Sequence, residues 1–173
     1  MTRETWVISD THFSHENILN FTDMNGNRIR PEFNSVKEMD EVIIENWNSV
    51  VKKGDVVYHL GDFGFNREEI GKIINRLNGK KKLIVGNHDD IKFLSSGNWF
   101  SKILLQRKMS DMGLYMTHLP IHPSSTYDLK IDMQMMNVHG HIHEKDPPTI
   151  DHFNVSVERI NYTPINIEDI RIR

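Results

Sequence analysis

The chain contains no cysteine. Disulfides, thiolate metal sites and cysteine nucleophiles are therefore excluded, and any metal must be held by nitrogen and oxygen. It also lacks any apolar run near the ~20 residues a membrane helix needs. Its opening residues, Met1 to Val7, hold no stretch of the signal-peptide kind. A cytoplasmic protein with no membrane partner is the expectation. A strong excess of one charge is missing too: 21 Lys and Arg stand against 24 Asp and Glu, a net charge of −3 with histidine neutral. That is a weak footprint for DNA or RNA, so no stable nucleic-acid partner is expected. A small nucleotide stays open as a ligand, because bound metal ions bring their own positive charge.

What is present is enough for one globular domain spanning residues 1–173, with 38% hydrophobic and 26% charged residues. Ten histidines are the compositional oddity. In a chain without cysteine they raise the case for a metal site of imidazole and carboxylate.

The first ninety residues read strand, helix, strand, helix, strand. Trp6-Val7-Ile8-Ser9 is a short apolar run ending at Asp10-Thr11-His12. Residues 20–34 are polar, with a turn signal at Asn25-Gly26-Asn27, and read as a long loop. Ser35 and Glu38 form a capping box before the stripe Val36, Met39, Ile43, Trp47, Val50. Lys52-Lys53-Gly54 stops that helix. A second strand, 55–60, ends at Gly61-Asp62. Asn66 caps a second helix with the stripe Ile70, Ile73, Ile74, Leu77, and 82–85 is a third strand ending at Gly86-Asn87-His88-Asp89. The alternation predicts a mainly parallel sheet with right-handed crossovers. After it come short strand-like runs near 102–105, 113–117, 135–139 and 152–157, which predict more sheet, much of it antiparallel. Residues 90–100 and 119–133 read as loops, the latter over the site. Among the methionines Met133, Met135 and Met136, core packing is the expected role. Gly79 to Lys82 reads as a solvated basic turn.

Metal-competent residues recur where these strands end: Asp10 and His12, Asp62, Asn87, His118, then His141 and His143. Ligands in open α/β sheets bind outside the carboxyl ends of the strands, so five loops can converge there. In extended segments, residues i and i+2 share a side, so Asp10 with His12 and His141 with His143 can each present two ligands together. Gly61, Gly86 and Gly140 stand directly before Asp62, Asn87 and His141, where glycine permits close backbone approach. Two carboxylates, four imidazoles and an amide exceed what one tetrahedral zinc needs. They suit two divalent ions, Mn²⁺ first, with Zn²⁺, Fe²⁺ or Ni²⁺ as alternatives.

In order, Asp10-Thr11-His12, Gly61-Asp62, Gly86-Asn87-His88-Asp89, His118 and Gly140-His141-Ile142-His143 resemble the calcineurin-like metallophosphoesterase superfamily, in its small bacterial and phage form. The ending Asn154-Val155-Ser156-Val157, with Pro164-Ile165, is similar as well. The resemblance implies a four-layer α/β/β/α sandwich with mixed sheets. It implies that Asp10, His12 and His143 hold one metal, that Asn87, His118 and His141 hold the other, and that Asp62 bridges. It implies hydrolysis of a phosphodiester or phosphomonoester by in-line attack of a metal-bridging hydroxide. His88 is then the general acid and Asp89 its orienting partner, with Asn87 and His15 as candidate substrate contacts. The substrate is a small phosphorylated molecule.

Plainer readings stand beside these. His15 is read first as a loop or helix-cap residue, and only then as part of the pocket. His59, His139 and His152 are read as structural, and His122 is divided between pocket wall and surface. A non-catalytic scaffold of the same fold is the alternative function, and a mononuclear hydrolase the third. A degenerate scaffold would lack ligands or the acid, and all are present here.

Overall fold

The computed structural model describes residues 3–171. Nine of the strands form two mixed sheets. The first has the order β11-β1-β2-β3-β4, with β1 Thr5–Ile8, β2 Val56–His59, β3 Lys80–Ile84, β4 Lys102–Leu104 and β11 Ile165–Asn166. β1 to β4 pair parallel, and β11 closes the edge antiparallel to β1. The second sheet has the order β10-β9-β6-β5, with β5 Arg107–Met109, β6 Leu114–Met116, β9 Met136–His139 and β10 His152–Asn154.

Alternation along the strands explains the layers. Ile8, Val57 and Leu83 face one side of the first sheet and pack on α1 Val36–Val50, α2 Arg67–Arg76 and α3 Ile91–Ser96. Their neighbours Val7, Tyr58 and Ile84 face the other side and meet Leu114, Met116 and Val138 of the second sheet. α4 Ile167–Arg171 adds Ile167 and Ile170 to that second core. The α/β class with two mixed sheets agrees with expectation.

The helix signals hold in detail. Ser35 accepts from the Glu38 amide at 3.2 Å, and Glu38 reaches back to the Asn34 amide, one residue earlier than a standard box. Met39, Ile43 and Trp47 are buried, and the Asn66 side chain accepts from the amides of Glu68 and Glu69.

Several expectations are corrected. The second sheet is not chiefly antiparallel: β6, β9 and β10 run parallel, and only β5 is reversed. Crossover segments without long helices join these strands, which hides the parallel pairing from a pattern search. Residues 90–100 carry α3, capped by Asp90. Residues 119–133 are not a plain loop. They contain a 3₁₀ turn, Pro123–Ser125, and the start of a small hairpin of β7 Tyr127–Asp128 and β8 Met133–Gln134. Ile121 ties this segment to the second sheet, donating to Asn137 Oδ1 and accepting from the His152 ring. Met135 is buried and Met136 packs at the core's margin, but Met133 is exposed. Lys80 to Lys82 lie in β3, where Lys81 donates to the Leu77 carbonyl and Lys82 to the Tyr58 hydroxyl.

Candidate metal centre

The loops after β1 and β2 continue side by side past the strands. Asp10 N–H donates to the Gly61 carbonyl, His12 N–H to Asp62, and Phe13 N–H to Phe63. This ladder sets Asp10 and His12 beside Asp62. Likewise Gly140 N–H donates to the His118 carbonyl, joining the loops after β6 and β9. The two halves meet at Asp10, whose Oδ2 accepts from His141 N–H at 2.9 Å and from the Ser156 hydroxyl at 3.0 Å.

The result is two groups, each with potential ligand atoms within 4.8 Å of one another: Asp10, His12, His143, and Asp62, His118, His141. Asp62 Oδ2 joins them, lying 3.8 Å from His12 Nε2 and 3.5 Å from His118 Nε2. Its other oxygen is taken by the His88 amide at 2.9 Å. Asn87 Oδ1 lies 2.9 Å from His118 Nε2 and so joins the second group. His141 and His143 therefore serve different groups. Asp10 and His12 share a group, but neither pair sits in extended chain, so the same-side spacing argument accounts for neither outcome: Asp10, His12, Asp62, His141 and His143 all have φ between 49° and 70°. Five non-glycine residues in the left-handed region are costly, and such strain concentrates at functional sites.

Close approach explains the glycines. Gly61 has φ of +100°, and a Cβ there would lie 2.6 Å from Gly86 Cα and from His118 Nδ1. At Gly140 a Cβ would overlap Asp10 Oδ2 and Ser9 Oγ.

The donor set fits cations. Asp10 Oδ1 and His12 Nε2 are buried and find no hydrogen-bond partner, which is costly unless something charged satisfies them. His118 Nδ1 lies 2.8 Å from the Leu60 carbonyl and must donate to it. In the neutral ring, Nε2 is then a lone pair facing the Asn87 and Asp62 oxygens, an arrangement that a cation resolves. Burial lowers the pKa of His12 well below the ordinary value, helped by Arg30, and burial also lowers that of His141. Neutral imidazoles are the form that binds metal.

Two residues essential to this geometry lay outside the sequence reading. Arg30 is fully buried and donates to the carbonyls of Asp10 and Thr11. Glu158 Oε1 accepts from Arg30 Nε at 2.8 Å and from His143 Nδ1 at 2.9 Å. Burial works to lower the His143 pKa, but Glu158 outweighs it and raises it. A carboxylate behind a ligand histidine fixes its tautomer and leaves Nε2 toward the centre. The run Asn154 to Val157 pointed to this segment, but nothing in the sequence singled out Glu158.

The remaining candidates are placed as follows. Asn87 and His88 are exposed, and the His88 ring stands 6.1 Å from that of His12. Asp89 accepts from the backbone amides of Asp62, Phe63 and Gly86. Its carboxylate thus clamps the loops after β2 and β3. His15 stacks on Phe65 with centroids 3.8 Å apart, and its Nδ1 lies 3.1 Å from that of His12. His59 is buried and bonded to Thr11 Oγ1, and His139 and His152 are buried in the second sheet. His122 caps the turn at Pro123.

This arrangement provides two adjoining candidate metal-binding groups, and the chain belongs to the calcineurin-like phosphoesterase family, whose sequence profile matches residues 4–163. The chain is 36% identical to the uncharacterized protein MJ1445 of Methanocaldococcus jannaschii, over 96% of this chain and 88% of that one. It is 36% identical to the Gene 66 protein of Mycobacterium phage L5 over 89 residues, 49% of this chain and 39% of the phage protein. Among solved structures it is similar to AQ665 from Aquifex aeolicus, a protein of unknown function, with a TM-score of 0.73, 29% identity and 98% of each chain covered. Among the described residues no helix is long and apolar enough to cross a membrane.

Proposed function

We propose that this chain is a dinuclear metal-dependent phosphodiesterase. The carrying observation is Asp62 Oδ2, within 3.8 Å of His12 Nε2 and 3.5 Å of His118 Nε2, one from each candidate group. Asp10, His12 and His143 hold the first divalent ion, and Asn87, His118 and His141 the second, with Asp62 shared. Such a pair of ions supplies Lewis-acid charge and an activated water for attack on phosphorus. Mn²⁺ suits this oxygen and imidazole set.

The chain's own residues do the rest. Glu158 and His15 hold His143 and His12 in the tautomers that leave each Nε2 bare. Asp89 keeps the loops bearing Asp62 and Asn87 in register. His88, exposed at the mouth, donates a proton to the leaving oxygen. Asn87 and His88 are exposed, which supports a diester reading in that a second substituent on the phosphate would meet solvent there and not the core.

The test is hydrolysis of bis(p-nitrophenyl) phosphate and p-nitrophenyl phosphate by metal-free protein resupplied with Mn²⁺, Zn²⁺, Fe²⁺, Ni²⁺ or Mg²⁺. Metal-dependent turnover with the diester preferred is expected. Absence of hydrolysis with every ion points instead to a binding scaffold.

A further inference from the structure

A cleft of about 460 Å³ opens beside the candidate metal centre, between the loop from Asn20 to Ile29 and the segment from His141 to Lys145. It is lined by His141 and His143 themselves, one from each metal group. The cleft is thus continuous with both candidate groups.

The outer wall is held by hydrogen bonds and includes Phe21. Phe21 follows the 3₁₀ helix Glu16–Asn20 and is 42% exposed. Ile29 N–H donates to the Phe21 carbonyl at 2.9 Å, and Thr22 and Arg28 form an antiparallel bridge. Asp23 Oδ1 accepts from the amides of Asn25 and Asn27, and Arg28 Nε donates to the Leu19 carbonyl. His15 meets the Phe21 ring edge-on, at 89° and 5.7 Å. A loop so heavily hydrogen-bonded has the means to bury its phenylalanine, yet it leaves the ring at the lip of the cleft.

The lining also selects a chemistry. Phe21, Ile29 and Ile142 are apolar, whereas Asn20, Thr22, Glu144 and Lys145 add an amide, a hydroxyl, a carboxylate and an ammonium, so the cleft has hydrogen-bonding groups but little net charge. A simple alkyl group leaves the polar atoms unmatched, and a second phosphate leaves the apolar wall unused. A flat heteroaromatic ring with a hydrogen-bonding edge, joined to a sugar, uses both, and the volume is in the range of small-molecule sites.

We propose that this cleft binds the nucleoside portion of a phosphodiester substrate, with the base stacked on Phe21. The inference rests on the phosphodiesterase reading of the adjoining centre. The test uses two esters with the same leaving group, thymidine 5′-(p-nitrophenyl phosphate) and ethyl p-nitrophenyl phosphate, on the metal-loaded chain. The nucleoside ester should show kcat/KM higher by roughly tenfold or more, the size of one base–aromatic stack. Phe21→Leu, which keeps an apolar side chain but no ring, should collapse that ratio, and Phe21→Trp should preserve it. Calorimetric titration gives a readout free of turnover: thymidine 5′-monophosphate should bind the wild-type chain about tenfold tighter than ethyl phosphate, and Phe21→Leu should erase the difference. Hydrolysis of both esters at equal kcat/KM, or a ratio unmoved by Phe21→Leu, overturns the subsite while leaving the phosphodiesterase standing. Failure to hydrolyse either ester overturns the phosphodiesterase, and the titration then decides the subsite by itself.

Discussion

Asp62 Oδ2 lies 3.8 Å from His12 Nε2, a contact that crosses from the loop after β2 to the loop after β1. The same oxygen lies 3.5 Å from His118 Nε2, which comes from the second sheet. One carboxylate thus joins ligands from both layers. Its fixed position depends on the His88 amide, which holds the other oxygen.

Glu158→Gln should weaken the centre without replacing a proposed ligand. It leaves the buried Arg30 guanidinium without a counter-charge and His143 without a charged acceptor. Metal affinity should fall by about 10–100-fold, and unfolding should become easier by about 3 kcal/mol. Metal titration and denaturant unfolding measure the two losses. An unchanged affinity would mean that Glu158 serves folding alone.

His88→Asn should retain the metals and lose turnover by roughly 10²–10⁴-fold, the usual worth of a general acid. Steady-state kinetics beside metal analysis separate the two. Full activity in this variant would remove His88 from the proton transfer.

Gly140→Ala should cost at least about 1–3 kcal/mol, as overpacking does, because its methyl would overlap Asp10 Oδ2 and Ser9 Oγ. Asp10 has to move, so metal binding should fall with stability. Calorimetry and metal content on the same sample check this.

Asp40 gives a pH signature away from the ligands. Burial raises its pKa to about 6 from 3.8, against the opposing hydrogen bonds from Ser14. The native state therefore holds the proton more tightly than the unfolded chain. Its contribution is fully present below about pH 4 and is lost as pH rises through about 6, with a slope of at most ~1.4 kcal/mol per pH unit. Asp40→Asn should remove that fall, seen as the difference between wild-type and variant unfolding free energies from pH 4 to 7.

Sequence periodicity carried the first half of the fold because α1 and α2 each have an apolar stripe and a side-chain N-cap, and β1, β2 and β3 each contain a short apolar run. The second half was less legible. β7 and β8 are two residues long, too short for alternation to register. The parallel pairing of β6, β9 and β10 is set by packing on the first sheet, not by local pattern. The candidate ligands could be picked out because they lie in the loops that follow apolar runs. Arg30 and Glu158 could not: neither belongs to a motif or follows a strand-like run in a recognisable pattern, and their contact spans 128 positions of the chain. The left-handed turns at Asp10, His12, Asp62, His141 and His143 were likewise invisible, since none of the five is glycine.

Metal stoichiometry of the purified chain is the most direct test of a shared Asp62. After saturation with Mn²⁺ and removal of free ion, elemental mass spectrometry should find two ions per wild-type chain. Asp62→Asn should lose affinity for both together. A single ion in the wild type, or an Asp62→Asn chain that holds two ions with undiminished affinity, would contradict the account.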